Sequence, residues 1–123
     1  MAITPTFDPE ELLAPFEGDA PCGTDPRSDM SPTSRFLRMK DARALARRKE
    51  RAIDVDPDAP SPLEDWGEMA DVGLEILSQE GKDLEVAAWM IEGLLRVDGL
   101  SGLHTGLKVA EGLVNTYWDE IYP

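Results

Sequence analysis

Apolar residues in most of this chain recur at three- and four-residue steps, the spacing of one face of a helix. The clearest stripe consists of Leu63, Trp66, Ala70, Gly73 and Leu77. No stretch alternates polar and apolar residues in the way that a half-buried strand does. The pattern predicts an all-α fold, a bundle of about five helices with a long Pro/Gly-rich N-terminal loop.

Capping residues and helix breakers give the expected boundaries in the first half of the chain. Asp8 followed by Pro9 begins a short first helix, and Pro15 ends it. Residues 15–32 are rich in Pro, Gly, Asp and Ser and have no hydrophobic period, which indicates an ordered loop or an exposed arm. The second helix is expected to open at Ser31-Pro32 and to run to about residue 53.

Three further helices are predicted in the second half. Ser61 begins the third helix, with Glu64 at the position that a capping box requires. Asp83 caps a fourth helix, which is apolar nearly all round and is therefore expected at the centre of the bundle. Gly99 ends it in a tight turn, and Ser101 is expected to cap the fifth helix.

The side-chain pattern also predicts how these helices pack. The expected core face of the fifth helix consists of Leu103, Leu107, Ala110, Val114, Tyr117 and Ile121, with Leu113 beside them. Glycine inside a helix costs ~1 kcal/mol unless a close contact offsets it, so four glycines are expected at helix crossings: Gly73, Gly93, Gly106 and Gly112. A shared aromatic core is expected for Trp66, Trp89 and Trp118.

Size and charge limit the classes of function. The chain has 123 residues, the size of one ordinary domain, and a net charge of −13 that disfavours generic binding to nucleic acid or anionic membrane. Cys22 is the single cysteine, so no internal disulfide is possible. The first five residues have none of the features of a secretory signal. We therefore expect a cytoplasmic protein.

The candidates for chemistry are weak. Asp54, Asp56 and Asp58 have the spacing of a calcium loop, but Ala59 occupies the position that requires glycine. His104 is the single histidine and has no obvious cysteine or serine partner. We expect no catalytic residue, no cofactor and no metal site, although 25 acidic residues leave open an enzyme with an unrecognised carboxylate pair.

The second helix departs from the acidic character of the chain. Between Arg35 and Arg51 lie eight of the 12 basic residues but only two acids, a net charge of +6, so the remainder carries −19. At 100° per residue four of them form a cationic stripe: Lys40, Arg43, Arg47 and Arg51. One interpretation is a solvated face that offsets the acidic remainder. The other is a partner-binding surface for an acidic protein or for another subunit, supported by apolar residues on both borders of the stripe.

Five stretches together resemble a known family. They are LLAPFEGDAPCG at 12–23, DPDAPSPLEDW at 56–66, KDLEVAAW at 82–89, GLSGLHTGL at 99–107 and YWDEIYP at 117–123. In this order they are similar to the N-terminal ImpA-like domain of TssA proteins of the bacterial type VI secretion system. One departure is Gly81, where the family more often has serine.

The resemblance implies that residues 1–123 are a single ImpA-N-like helical domain, an excised N-terminal fragment of a longer protein. It implies a non-enzymatic assembly scaffold in the cytoplasm, whose partners are baseplate and tail tube or sheath proteins, with self-association as a further possibility. It leaves open whether the parent initiates assembly or acts at the sheath end. The alternative from another class is a nucleic-acid- or membrane-binding module that uses the basic helix 35–51.

Overall fold

The computed structural model of the protein describes residues 7–123. Within this range it contains four α-helices and no strand: α1 (Pro9–Leu13), α2 (Arg35–Val55), α3 (Leu63–Gln79) and α4 (Leu84–Tyr117). A short 3-10 turn at Pro26–Ser28 lies in the connection between α1 and α2. The all-α prediction is confirmed. The first five residues, which were considered for a secretory signal, fall outside the described range.

The long helix α4 folds back on itself. A straight helix of 34 residues would be about 50 Å long, yet the Leu84 backbone nitrogen lies 2.8 Å from the Tyr122 carbonyl oxygen. The reversal occurs at Gly99, whose φ of +60° and ψ of −143° are not helical. We call residues 84–98 the first arm and residues 100–117 the second arm. The bundle therefore has five helical segments, because Gly99 divides α4 at the position that the sequence predicted.

The expected capping residues are present with three differences. Before α3 the Ser61 hydroxyl accepts from the Leu63 nitrogen at 3.2 Å and forms no bond with Glu64, so the predicted capping box is wrong. The Asp83 side chain accepts a hydrogen bond from the Val86 backbone nitrogen at 2.9 Å and so begins α4, as predicted. The second helix begins later than expected, because Ser34 and not Ser31 caps it, accepting from the Leu37 nitrogen at 3.2 Å. Ser101 lies inside the second arm, where its carbonyl accepts from the Thr105 hydroxyl, so its predicted capping role is wrong.

The core lies between α2, α3 and the first arm. Its largest fully buried members include Trp66 and Ile76 of α3 and Met90 and Leu94 of α4. The four helix glycines lie at close crossings, as predicted: a Cβ atom would collide with Met90 at Gly73, with Trp66 at Gly93, with Ile91 at Gly106 and with Leu13 at Gly112. Because these positions have no side chain, the helices can approach each other closely there.

The predicted core face of the second arm is wrong by about one residue. The buried line consists of Gly102, Gly106, Val109, Leu113 and Tyr117. Leu107 and Val114, which were expected inside, are exposed. The shared aromatic core is also wrong in part, since Trp66 is buried and Trp89 is half-buried, but Trp118 is exposed. The small residues of the buried line let the second arm approach the first arm closely, and this close approach determines which face of the second arm points into the core.

Candidate interaction surface

Three of the five stretches that suggested the family meet at one place, which we call the junction: residues 12–23, 81–84 and 117–122. At its centre the Lys82 side chain is 1% exposed. Its Nζ donates to the carbonyls of Leu12 at 2.6 Å and Leu77 at 2.9 Å, and it lies 4.5 Å from the ring centroid of Phe16. Burial lowers the pKa of Lys82 to about 8. This cation therefore holds the N-terminal loop against the end of α3.

The adjacent Asp83 is fully buried and serves two elements. Besides capping α4, its carboxylate accepts from both terminal nitrogens of Arg27, at 2.5 and 3.2 Å. Arg27 also donates to Asp25 at 3.0 Å and to Glu85 at 2.8 Å, and it lies over the ring of Phe36. The Asp83 bonds raise the pKa of Arg27. Sequence reasoning missed this pair, because 56 residues separate its members and Arg27 lies in the loop without a hydrophobic period.

Backbone hydrogen bonds close the junction. The Lys82 nitrogen donates to the Cys22 carbonyl at 2.8 Å, and the Tyr122 nitrogen donates to the Lys82 carbonyl at 3.0 Å. The Tyr117 hydroxyl donates to the Leu13 carbonyl. Cys22 is buried, and burial raises the pKa of its thiol, which makes it a poor nucleophile. The junction is therefore architectural: its polar groups bind each other and present little to a partner.

The cationic stripe lies elsewhere, on the outer side of α2. It lines an open groove of about 580 Å³, the cationic groove, between α2 and a tryptophan of the first arm. The groove is lined by Lys40, Asp41, Arg43, Ala44, Arg47, Arg48, Arg51 and Trp89. All four basic residues singled out from the sequence are thus brought to one surface, and the structure adds Arg48 and Trp89 to them.

The basic residues of this groove differ in how they are held. Arg43 donates to both carboxylate oxygens of Glu92, at 2.6 and 3.2 Å, and lies 5.4 Å from the ring centroid of Trp89. By contrast, Lys40, Arg47 and Arg51 are exposed and form no ion pair within residues 7–123. Arg43 therefore fixes one wall of the groove, and the other four basic residues, which include the exposed Arg48, leave their charges available.

Other basic residues of α2 are used internally. Arg35 pairs with Glu75 at 3.1 Å and with Glu80 at 3.0 Å, and Lys49 pairs with Asp65 at 2.8 Å. These pairs join α2 to α3. Part of the positive charge of α2 thus offsets the acidic remainder, as the first interpretation of the sequence required.

The apolar borders of the stripe also differ. On one border Met39 and Ala46 are fully buried and pack in the core. On the other border Leu37 and Leu45 are half-buried, and Ala44 is exposed. The second border therefore offers apolar contact area beside the free cations.

Neither a metal-binding cluster nor a membrane-spanning helix is found among the residues that the structure describes. Between residues 7 and 123 no three His, Cys, Asp or Glu side chains converge on a position that suits a metal ion. Within the same range no helix has both the length and the hydropathy to cross a bilayer. His104 is exposed on the second arm.

Known proteins are similar to this chain in sequence and in fold. Residues 13–123 match the family described as "ImpA, N-terminal, type VI secretion system". The type VI secretion system component TssA1 of Pseudomonas aeruginosa is 32% identical over 117 residues, which are 95% of this chain and 32% of that protein.

A solved structure from Burkholderia cenocepacia superimposes with a TM-score of 0.72 at 32% identity, covering 94% of this chain and 39% of that one. It is the N-terminal domain, including the conserved ImpA_N region, of the TssA component of a type VI secretion system. The chain thus spans about a third of the length of these relatives. With this match over nearly its whole length, the chain belongs to the ImpA N-terminal family of type VI secretion system proteins.

Proposed function

We propose that this chain is a non-catalytic assembly module of a type VI secretion system and that its cationic groove binds an acidic surface of a baseplate or tail tube or sheath protein. Its relatives are named as TssA components of that system, which supports a role in the same machine. The groove supplies a positively charged surface, which favours an acidic partner.

One observation carries this proposal: Lys40, Arg47 and Arg51 have no ion pair among residues 7–123 of a chain with 25 acidic and 12 basic residues. Internal acidic partners are abundant, and neighbouring basic residues of the same helix do use them. A cluster of free cations in an acidic protein attracts an acidic partner and orients it during the encounter.

The groove also has features that favour tight contact after the encounter. Trp89 and Arg43 form one wall, and these two residue types are enriched among the side chains that dominate binding energies. Because Glu92 already holds Arg43 in place, less side-chain entropy is lost when a partner docks against it.

The proposal is tested by reversing two arginines of the cationic stripe together, Arg47→Glu and Arg51→Glu. Arg43 is left unchanged, since its loss would also break the pair with Glu92. Arg38→Glu is the matched control, because Arg38 is exposed on α2 but lies about 180° around the helix from Arg47. Calorimetry with purified baseplate and sheath proteins, at about 50 and 300 mM salt, measures the binding.

We expect the double variant to bind at least about tenfold more weakly and to lose most of the salt dependence, while Arg38→Glu binds like the parent. Unchanged binding in the double variant contradicts the proposal. If the parent instead binds DNA or anionic vesicles and the double variant does not, the nucleic-acid or membrane alternative replaces it. Hydrolytic turnover that a single carboxylate substitution abolishes would replace the non-catalytic part.

A further inference from the structure

The second arm of α4 carries an apolar face that the described part of the chain covers only in part, since Leu103 and Ala110 are half-buried and the other members are exposed. Its members recur at three- and four-residue steps and form what we call the apolar stripe: Leu100, Leu103, Leu107, Ala110, Val114 and Trp118. Leu100 is 79% exposed, Leu107 is 52% exposed and Trp118 is 67% exposed. Large apolar side chains this exposed, aligned along one helix face, are typical of an interaction site.

The stripe is distinct from the buried face of the same arm. At 100° per residue its members fall within about 80° of one another, and their centre lies about 105° from the buried line that includes Gly106 and Leu113. The stripe is about 27 Å long at 1.5 Å per residue. It lies on the second arm, whereas the cationic groove lies between α2 and the first arm, so the two surfaces share no residue.

We infer that the apolar stripe pairs with the same stripe of a second copy of this chain, with the two helices antiparallel and the two-fold axis near residue 109. In this arrangement the ends of the stripe meet, Leu100 of one copy against Trp118 of the other. The small Ala110 lies beside the axis, where the helices approach most closely.

The charges beside the stripe support this occupant. One border carries His104, Lys108, Glu111 and Asn115, all of them exposed. In an antiparallel pair each border meets its own copy, so Lys108 of one copy faces Glu111 of the other, and the two-fold axis produces this contact twice. On its other side the stripe adjoins the buried line, so a parallel pair would leave the charged border without a charged counterpart. The stripe is therefore complementary to itself in one orientation.

The exposed area sets the expected strength. The exposed parts of the stripe amount to about 400–500 Å² per copy, comparable to the largest apolar patch of a typical monomer. Two copies together would bury somewhat less than the roughly 1,200 Å² of the smallest stable interfaces. The dimer is therefore reversible and forms at high protein concentration.

Sedimentation velocity of the 123-residue chain, from about 10 µM to 1 mM, tests the inference. We expect the weight-average sedimentation coefficient to rise with concentration in the parent and to stay monomeric in Leu107→Glu, which is exposed and compatible with the fold. The groove variant Arg47→Glu with Arg51→Glu should dimerise like the parent, which separates this inference from the proposed function.

Charge reversal tests the orientation. Lys108→Glu and Glu111→Lys should each weaken the dimer about fivefold, because each creates two like-charge contacts, and the combined variant should restore it. Glu111→Lys is decisive, since it reduces the net negative charge and would strengthen the dimer if only the overall charge mattered. An oxidised Ala110→Cys variant should form an intermolecular disulfide, whereas Leu100→Cys should not.

Three results would overturn the inference: a monomer at every concentration, a dimer that Leu107→Glu leaves intact, or a stronger dimer in Glu111→Lys. If Leu107→Glu abolishes binding of a different secretion component while the parent stays monomeric, the occupant is that component and not a second copy.

Discussion

The junction and the cationic groove use the same kinds of side chain in opposite ways. At the junction, Lys82 is fully buried and donates to the Leu12 carbonyl, 70 residues away, and Arg27 donates to Asp83, 56 residues away. In the groove, Arg47 and Arg51 come from one helix, are exposed and have no ion pair within the described residues. One region satisfies its charges internally, and the other leaves them available.

This difference separates two kinds of information in the sequence. The stretches that identify the family, such as those around Lys82 and Tyr122, encode contacts that close the fold. The basic residues of the candidate partner surface lie outside those stretches, in a helix that no recognisable motif marks, and only Trp89 of the groove belongs to one of them. Family membership therefore identifies the scaffold and not the residues by which one member selects its partner.

The largest expected effect is at the junction. Asp83→Ala removes the α4 cap and leaves Arg27 and the Val86 nitrogen without their buried partner, so we expect the free energy of unfolding to fall by about 3–5 kcal/mol. Chemical denaturation measures this loss. Asp25→Ala is the control, because Asp25 is partly exposed and should cost no more than about 1 kcal/mol. Similar small losses in both variants would contradict an architectural junction.

The buried lysine should make stability depend on pH in a specific direction. Burial lowers the pKa of Lys82 from 10.5 to about 8, so between these values the unfolded chain binds more protons than the folded one. Stability contributed by this group therefore rises with pH across that window, by about 1–3 kcal/mol.

The measurement is the difference in unfolding free energy between the parent and Lys82→Met at several pH values. Both proteins carry Cys22→Ala, because the raised pKa of Cys22 makes stability fall as pH rises and Lys82 itself acts on that pKa. A constant difference from pH 7 to pH 11 would show that Lys82 titrates as an exposed lysine does.

A smaller loss of unfolding free energy is expected from Gly81→Ser, which introduces the serine that the resemblance implies at this position. A Cβ atom on Gly81 would collide with the Thr24 carbonyl oxygen, so the N-terminal loop that contains Thr24 must move, at a cost of about 1–3 kcal/mol. Thermal and chemical denaturation measure it, with the exposed Ala20→Ser in the same loop as control. Greater stability in Gly81→Ser would mean that the loop adjusts without strain.

The smallest effect is expected in the groove. Arg47→Glu alone should change the free energy of unfolding by less than about 0.5 kcal/mol, because Arg47 is exposed and forms no ion pair with another described residue. Urea denaturation of this variant beside Asp83→Ala measures the contrast directly. A loss above about 1 kcal/mol would show that the stripe mainly offsets the acidic remainder of the fold.

Sequence reasoning predicted the helices of this protein better than the way they face each other. Asp83 and Gly99 announced the start and the reversal of α4, because caps and turns depend on local chemistry. Periodicity, however, shows which residues of a helix share a face, but it does not show which face meets the neighbouring helices. The second arm has two apolar faces, and the larger residues, including Leu107 and Trp118, belong to the outer one.

The buried face of that arm had a weaker signal that was available. Gly102 and Gly106 lie one turn apart, and the crossing role assigned to Gly106 already implied that its face points inward. The cationic stripe was predicted with the right members, but periodicity does not show that Glu92 holds Arg43. The Arg27–Asp83 pair had no local signal, since only the folded chain brings its members together.

The long sequence separations at the junction also bear on how the chain folds. Contacts between Leu12 and Lys82, and between Leu13 and Tyr117, close loops of 70 and 104 residues, whereas the hairpin of α4 needs only local closure. We therefore expect the folding nucleus to form among α2, α3 and α4, and the N-terminal loop to dock after the rate-limiting step. The junction then acts as a latch: weakening it speeds unfolding and leaves the rate of folding nearly unchanged.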